Sequence, residues 1–223
     1  RRLPLATRFT TSDGKSVALG DVLGRGQSAL LSLSYSHCAL MCSTVLRGAA
    51  DVARELGGAG DRFALVNVSI DPRESPGEAA RVQAPLLERA GLAGRPEHWP
   101  FLVGTQASID AVASAVGFRY AWDARTRQYA HPAALFVIDR DGVIRRYFYG
   151  IRFDRDATRR ALFGADPGQA PAAAPLTCFR FDTLERRFGA RLTWFFRAGA
   201  AAILALGAAG LIALRRAERR RTS

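Results

Sequence analysis

Two cysteines separated by three residues, Cys38 and Cys42, stand in the run SYSHCALMC, after a short apolar stretch and at the opening of a helix-like run. Four residues apart, two sulfurs lie on the same side of one helical turn, so they can hold one soft metal ion or close into a disulfide after modest local adjustment. The start of a helix favours thiolate over thiol, because its unpaired N–H groups and its dipole stabilise negative charge; this raises both nucleophilicity and metal affinity. The alternative is a pair of buried structural cysteines, but these two sit at the C-terminal end of a strand, where α/β folds place their sites. A third candidate, His131, lies in RQYAHPAALFVID, just before another strong strand. Two thiolates and one imidazole make a three-coordinate soft site suited to copper, with Cu(I) favoured by sulfur and Cu(II) tolerated through nitrogen; zinc usually takes a fourth ligand. A histidine before a strand is ordinarily a hydrogen-bonded surface residue, and here the loop it occupies turns the expectation toward the cysteines. His37 and Met41 are lesser candidates for a nitrogen and a thioether ligand. Asp71 could orient a site residue, although Asp-Pro after a strand usually makes a turn.

These side chains need a frame, and the chain before residue 165 alternates strand and helix signals. LLSLSY (30–35) reads as a buried strand, 42–56 as a helix, FALVNVSI (63–70) as a strand and 76–90 as a helix. A short strand near 100–103, a helix near 109–116, the strand ALFVID (134–139), an Asp-Gly turn at Asp141 and Gly142, the strand VIRRYFY (143–149) and a helix over 154–163 follow. Parallel β-α-β units followed by a hairpin and a helix predict an α/β sandwich of thioredoxin type. In that topology the loop entering 134–139 lies beside the first strand-to-helix turn, which places His131 near Cys38 and Cys42.

The chain has 223 residues with 48% hydrophobic content, enough for one ordinary domain with its own core, and three cysteines are too few for a disulfide-stapled scaffold. Its net charge of +12 is unevenly placed: nine Arg face the single acid Glu218 between Arg186 and Arg221, while residues 1–185 intersperse 23 basic with 19 acidic residues. No basic stripe with interleaved aromatics occurs, so nucleic-acid binding is not expected. DPGQAPAAAP (166–175) reads as a linker. Residues 192–214, LTWFFRAGAAAILALGAAGLIAL, read as a single C-terminal transmembrane helix, with Trp194, Phe195 and Phe196 as interfacial aromatics and Arg197 able to snorkel. The five Arg after it, against four before or at its start, favour a cytoplasmic C-terminus and an extracytoplasmic domain. The expected location is therefore the inner membrane, single-pass, with the domain on the periplasmic side. The sequence opens at Arg1 with no apolar run, and a removed signal sequence is the natural companion of that topology.

Several segments in this order resemble the Sco/SenC family: DGKSVAL (13–19), the strand into YSHCALMC, NVSIDPRESPGEA (67–79), HWPFLVG (98–104) and YAHPAALFVIDRDGVIRRY. The resemblance runs from about Phe9 to Phe153. It implies a thioredoxin-like, membrane-anchored copper protein that assists assembly of cytochrome c oxidase, delivering copper to the binuclear copper centre of the oxidase subunit, reducing the cysteines of that centre, or both. Carried over residue by residue, it makes Cys38, Cys42 and His131 the metal ligands. The chain departs from the family pattern where Pro often follows each cysteine and an acid lies between them: Ala39, Leu40, Met41 and Ser43 stand there. Without those prolines the turn is less rigid, and without the carboxylate the thiol pKa is expected to fall somewhat. Pro132 follows His131 where a small hydroxyl residue is more usual. Cys178, in LTCFRFDTLERRFG (176–189), echoes a Cys, aromatic and Asp pattern of some C-terminally anchored members; a relay or resolving thiol and a packed cysteine are both open.

The alternative function is a membrane-tethered thiol-disulfide oxidoreductase, which needs Cys38 and Cys42 as its redox pair and leaves His131 dispensable. The usual redox motif has two residues between its cysteines, and this one has three. A peroxidase fits less well, since Tyr35 stands where a TxxC motif needs threonine.

Overall fold

The computed structural model describes residues 1–23, 27–37 and 42–164, with the backbone alone at Cys42. Cys38 to Met41, the linker, the segment bearing Cys178, the apolar run 192–214 and the basic tail 215–223 lie outside the described residues. Among the described residues no helix is long and apolar enough to cross a membrane.

Two strands form the middle of the sheet because both of their faces are covered. β3 (Ala29–Ser34) and β4 (Ala64–Ser69) are buried at every position and pair in parallel, Ala29 opposite Ala64 and Ser34 opposite Ser69. Such strands read as continuous apolar runs rather than as an alternation. Leu31, Leu33, Val66 and Val68 face one core cluster, while Leu30 and Leu65 face the other. Polar side chains interrupt the apolar run on the Leu30 and Leu65 face, where Ser32 lies opposite Asn67 and Ser34 opposite Ser69; Asn67 Oδ1 accepts hydrogen bonds from Ser32 Oγ and Ser34 Oγ, each at 2.9 Å.

The sheet extends on both sides of this pair. β5 (Phe101–Val103) joins β4 in parallel, and β1 (Arg8–Thr11) with β2 (Ser16–Ala18) completes that flank as an antiparallel hairpin. On the other flank β8 (Ala134–Ile138) runs antiparallel to β3, with Ser32 opposite Leu135, and β9 (Ile144–Tyr149) runs antiparallel to β8. The resulting order is β2-β1-β5-β4-β3-β8-β9. β6 (Ala121–Asp123) and β7 (Gln128–Ala130) form a separate two-stranded sheet.

Helices cover both faces. After the one-turn α1 (Leu19–Val22), α2 (Cys42–Leu56), α3 (Pro76–Ala90) and α5 (Arg155–Phe163) bury Val45, Leu46, Ala49, Leu86, Leu87 and Leu162 against the Leu30 and Leu65 face. α4 (Gln106–Val116) covers the opposite face with Ile109, Val112, Ala113 and Val116. α3 starts on a capping box in which Ser75 Oγ accepts from the Glu78 N–H and Glu78 Oε2 accepts from the Ser75 N–H, with Pro76 in the first turn.

The expected frame is present, with its strands slightly shorter than the apolar runs that signal them. β3 stops at Ser34 because Tyr35 turns to bond a loop. α4 starts three residues before the expected Ile109, since Thr105 caps it by accepting from the Ser108 N–H, and polar residues of a first turn carry no apolar period. The β6–β7 hairpin was not signalled at all. Its loop has no Asn-Gly or Gly pair, and the left-handed position is filled by Arg127 at φ +55°.

Candidate metal centre

Three chain segments meet at the C-terminal edge of β3 and β4: residues 35–37 leaving β3, residues 70–74 leaving β4, and residues 131–133 entering β8. The antiparallel register of β8 against β3 brings the last of these to the same edge as the first. His131, Tyr35 and the opening residue of α2, Cys42, therefore belong to one end of the sheet. Cys38 and the Cys42 side chain lie outside the described residues. Among the described residues no group of three or more His, Cys, Asp and Glu side chains could hold a metal ion, so a three-ligand centre here needs the sulfurs.

His131 is 3% exposed, which removes the surface-histidine reading. Its ring sits between Phe118, at 5.6 Å between centroids, and Tyr35, at 6.0 Å in an edge-to-face arrangement. Nδ1 lies 3.0 Å from the carbonyl oxygen of Pro132. A carbonyl oxygen only accepts, so Nδ1 is the donor in this contact. Metal-binding histidines are held in this way, by a hydrogen bond from the other ring nitrogen to a carbonyl or carboxylate that fixes tautomer and ring plane. The donor chemistry fits a soft ion: a buried imidazole, and a cysteine at the first position of a 15-residue helix.

The segment leading to Cys38 is gripped by a buried carboxylate. Glu74, 9% exposed, accepts from the Ser36 N–H at 2.8 Å, from Ser36 Oγ at 2.6 Å and from Ser69 Oγ at 2.8 Å. Asp71 is a turn residue rather than a site orienter: it accepts from the backbone N–H of Arg73 at 3.0 Å and from both Nε and Nη2 of its guanidinium at 2.8 Å. Burial works to raise the Asp71 carboxyl, but the hydrogen bonds and charge of Arg73 outweigh it and hold the pKa below its ordinary value. The Arg73 guanidinium in turn lies over the ring of Trp122, 4.6 Å from its centroid. His37 points outward, its side chain 67% exposed, with Nε2 3.4 Å from Glu78 Oε1. An open groove of about 730 Å³ runs between these groups, lined by Tyr35, His37, Glu74, Glu78, Trp122 and Gln128 among others. A second cavity, of about 510 Å³, lies around Gln27, Arg62, Asp139 and Phe163 and includes none of the predicted site residues.

Sequence reasoning overlooked Tyr35, Glu74 and Gln128. Tyr35 drew notice only for not being threonine, and its proximity to the thiols was the available signal. Glu74 lies within the quoted segment 67–79 without any role read for it, and Gln128 carries no motif.

A parallel-centred sheet with helices on both faces, a cysteine opening the helix after the first central strand and a buried histidine entering the antiparallel strand define a thioredoxin-like α/β domain with a candidate thiol and imidazole site. The chain belongs to the SCO1/SenC family, whose model matches residues 3–162. Solved structures share the fold. A protein of Aquifex aeolicus VF5, provisionally described as an electron transfer protein, is 21% identical with a TM-score of 0.65, the match covering 75% of this chain and 94% of that one. ScoI of Bradyrhizobium japonicum, solved with copper bound, is 24% identical with a TM-score of 0.54 over 70% of this chain and 94% of its own. BsSco, described as a member of the Sco family of cytochrome c oxidase assembly proteins with a disulfide switch, is 18% identical with a TM-score of 0.59 over 74% and 94%. No curated protein sequence matches the chain.

Proposed function

We propose that this protein is a membrane-anchored copper metallochaperone of the Sco/SenC type, which delivers copper to, or maintains the thiols of, the binuclear copper centre of cytochrome c oxidase. Cys38, Cys42 and His131 are its ligands and the metal is its cargo. The observation that carries this reading is the buried His131 imidazole, its Nδ1 held on the Pro132 carbonyl, at the end of the sheet where the thiol segment begins. A protein that used the cysteine pair only for electron exchange would have no need of a buried imidazole so prepared. Family membership and the copper-bound ScoI relative support the same reading.

Two thiolates suit Cu(I), and the imidazole extends the site toward Cu(II). The same pair can act on the oxidase thiols: Cys38 and Cys42 close into one disulfide while a disulfide of the target is reduced to two thiols, two electrons and two protons passing from donor to target. The copper-bearing subunit of the oxidase is the proposed partner. The apolar run 192–214 is the proposed anchor, in the inner membrane with the domain on the periplasmic side.

The test is a titration of the reduced full chain in detergent with Cu(I) and with Cu(II), for the native protein and for His131→Ala. One copper per chain in each oxidation state is expected, with thiolate-to-copper absorption for Cu(II); His131→Ala is expected to keep Cu(I) and lose tight Cu(II). No tight copper binding, together with a reversible Cys38–Cys42 disulfide indifferent to His131→Ala, would overturn the chaperone and leave the thiol-disulfide oxidoreductase.

A further inference from the structure

The β6–β7 hairpin ends one residue before His131, and it pairs with neither flank of the main sheet. A two-stranded ribbon of three-residue strands is marginal by itself, so its place is set by what its side chains grasp. Tyr35 is central to that grasp. It follows β3 directly, precedes Cys38 by three residues and is 5% exposed. Its Oη donates to Gln128 Oε1 at 2.5 Å and accepts from the Tyr129 N–H at 3.1 Å. Gln128 Nε2 donates in return to the carbonyl of His37, at 3.3 Å, on the residue immediately before Cys38. The Tyr35 ring stands edge-on to the Tyr129 ring at 5.3 Å and to the His131 ring at 6.0 Å.

We propose that Tyr35 and Gln128 form a latch that fixes the distance between the segment entering the thiols and the hairpin carrying His131, and so acts as a positioning device for the nitrogen ligand. The inference rests on the reading of Cys38, Cys42 and His131 as copper ligands. Its consequence is selective. The two cysteines are four residues apart in sequence and need no contact with the hairpin, so Cu(I) held by thiolates is expected to be insensitive to the latch. Cu(II), which needs the imidazole, loses affinity when the hairpin can drift. Tyr35 thereby sets the preference of the site between two oxidation states without touching the metal.

Tyr35→Phe keeps the ring contacts and removes only the hydroxyl; Gln128→Ala removes the acceptor of Tyr35 and the donor to His37 and serves as the second variant. Each is compared with the native full chain in detergent by amide hydrogen exchange of peptides spanning 121–131, and by Cu(I) and Cu(II) titration. In both variants the hairpin is expected to exchange about five to ten times faster while β3 and β4 are unchanged, with Cu(II) binding about tenfold weaker, as expected for the loss of roughly one hydrogen bond, and Cu(I) binding intact. A native chain that binds Cu(II) one-to-one, with variants unchanged in hairpin exchange and in Cu(II) affinity, overturns the latch alone. Faster exchange throughout the sheet with equal losses of Cu(I) and Cu(II) also overturns it, by making Tyr35 a general stabiliser. A native chain that binds neither Cu(I) nor Cu(II) overturns the copper reading itself, and one that binds Cu(I) alone removes His131 as a ligand; either result takes the positioning role with it.

Discussion

At the scale of single residues, the most consequential side chain outside the candidate ligands is Glu74. It satisfies three donors at once, two of them on Ser36 and one on Ser69. A buried donor deprived of its acceptor costs more than the bond itself contributes, because the group has already been taken out of water. Glu74→Ala is therefore expected to lower the unfolding free energy by about 2–3 kcal/mol, with Glu74→Gln losing less since its amide oxygen still accepts. Urea denaturation decides the matter: a loss below about 0.5 kcal/mol, the range of an ordinary surface substitution, would mean that water replaces the carboxylate. The sequence displays the ligand candidates because cysteine is scarce and the histidine precedes an unmistakable strand. It hides Glu74, since a glutamate ahead of a serine cap looks like any solvated acid, and its burial arises only when the exits of β3 and β4 converge. Tyr35 is legible as an aromatic near the thiols, but its two hydrogen bonds reach residues more than ninety positions away.

At the scale of elements, α2 carries the thiol end of the site and is seated by a glycine. A Cβ at Gly48 would lie 2.2 Å from the carbonyl oxygen of Ile151 and 3.2 Å from the Phe153 ring, so the helix packs on the loop between β9 and α5 with backbone against backbone. Gly48→Ala brings two opposed effects. Intrinsic propensity gains about 1 kcal/mol for the helix, whereas overpacking against a backbone atom that cannot rotate away costs about 1–3 kcal/mol and rises as the contact shortens. At 2.2 Å the clash dominates, and a net loss of about 2 kcal/mol is expected, seen as a melting temperature lower by about 4–8 °C for a domain of this size. A melting temperature unchanged or higher would show that the loop yields. The two long helices α2 and α3 were readable to the residue from periodicity, whereas the β6–β7 hairpin was invisible. Its strands are three residues long, and the left-handed conformation of Arg127 is imposed by context rather than chosen by composition.

At the scale of the whole chain, the sheet was legible because its inner strands are apolar on both faces and the helices between them carry one apolar face each. The linker, Cys178 and the run 192–214 lie outside the described residues, and only their composition and spacing speak for them. The apolar run is expected to hold the full chain in the membrane fraction after carbonate extraction, while a chain ending at Gly164 is recovered in solution; release of the full chain by carbonate would remove the anchor. The row formed by Ser32, Ser34 and Asn67 has a further meaning for how the chain finds its arrangement. Parallel strands wrapped in oil on both sides have little to tell them which rung to settle on, because leucine and valine are content at any step. Asn67 breaks that indifference: sliding β4 by one residue would turn its amide to the opposite face, and sliding by two would carry it about 7 Å past the two serines. The same error would draw Glu74 away from Ser36, so a pair of hydroxyls in the middle of the sheet guards the alignment of the reactive edge several residues beyond it.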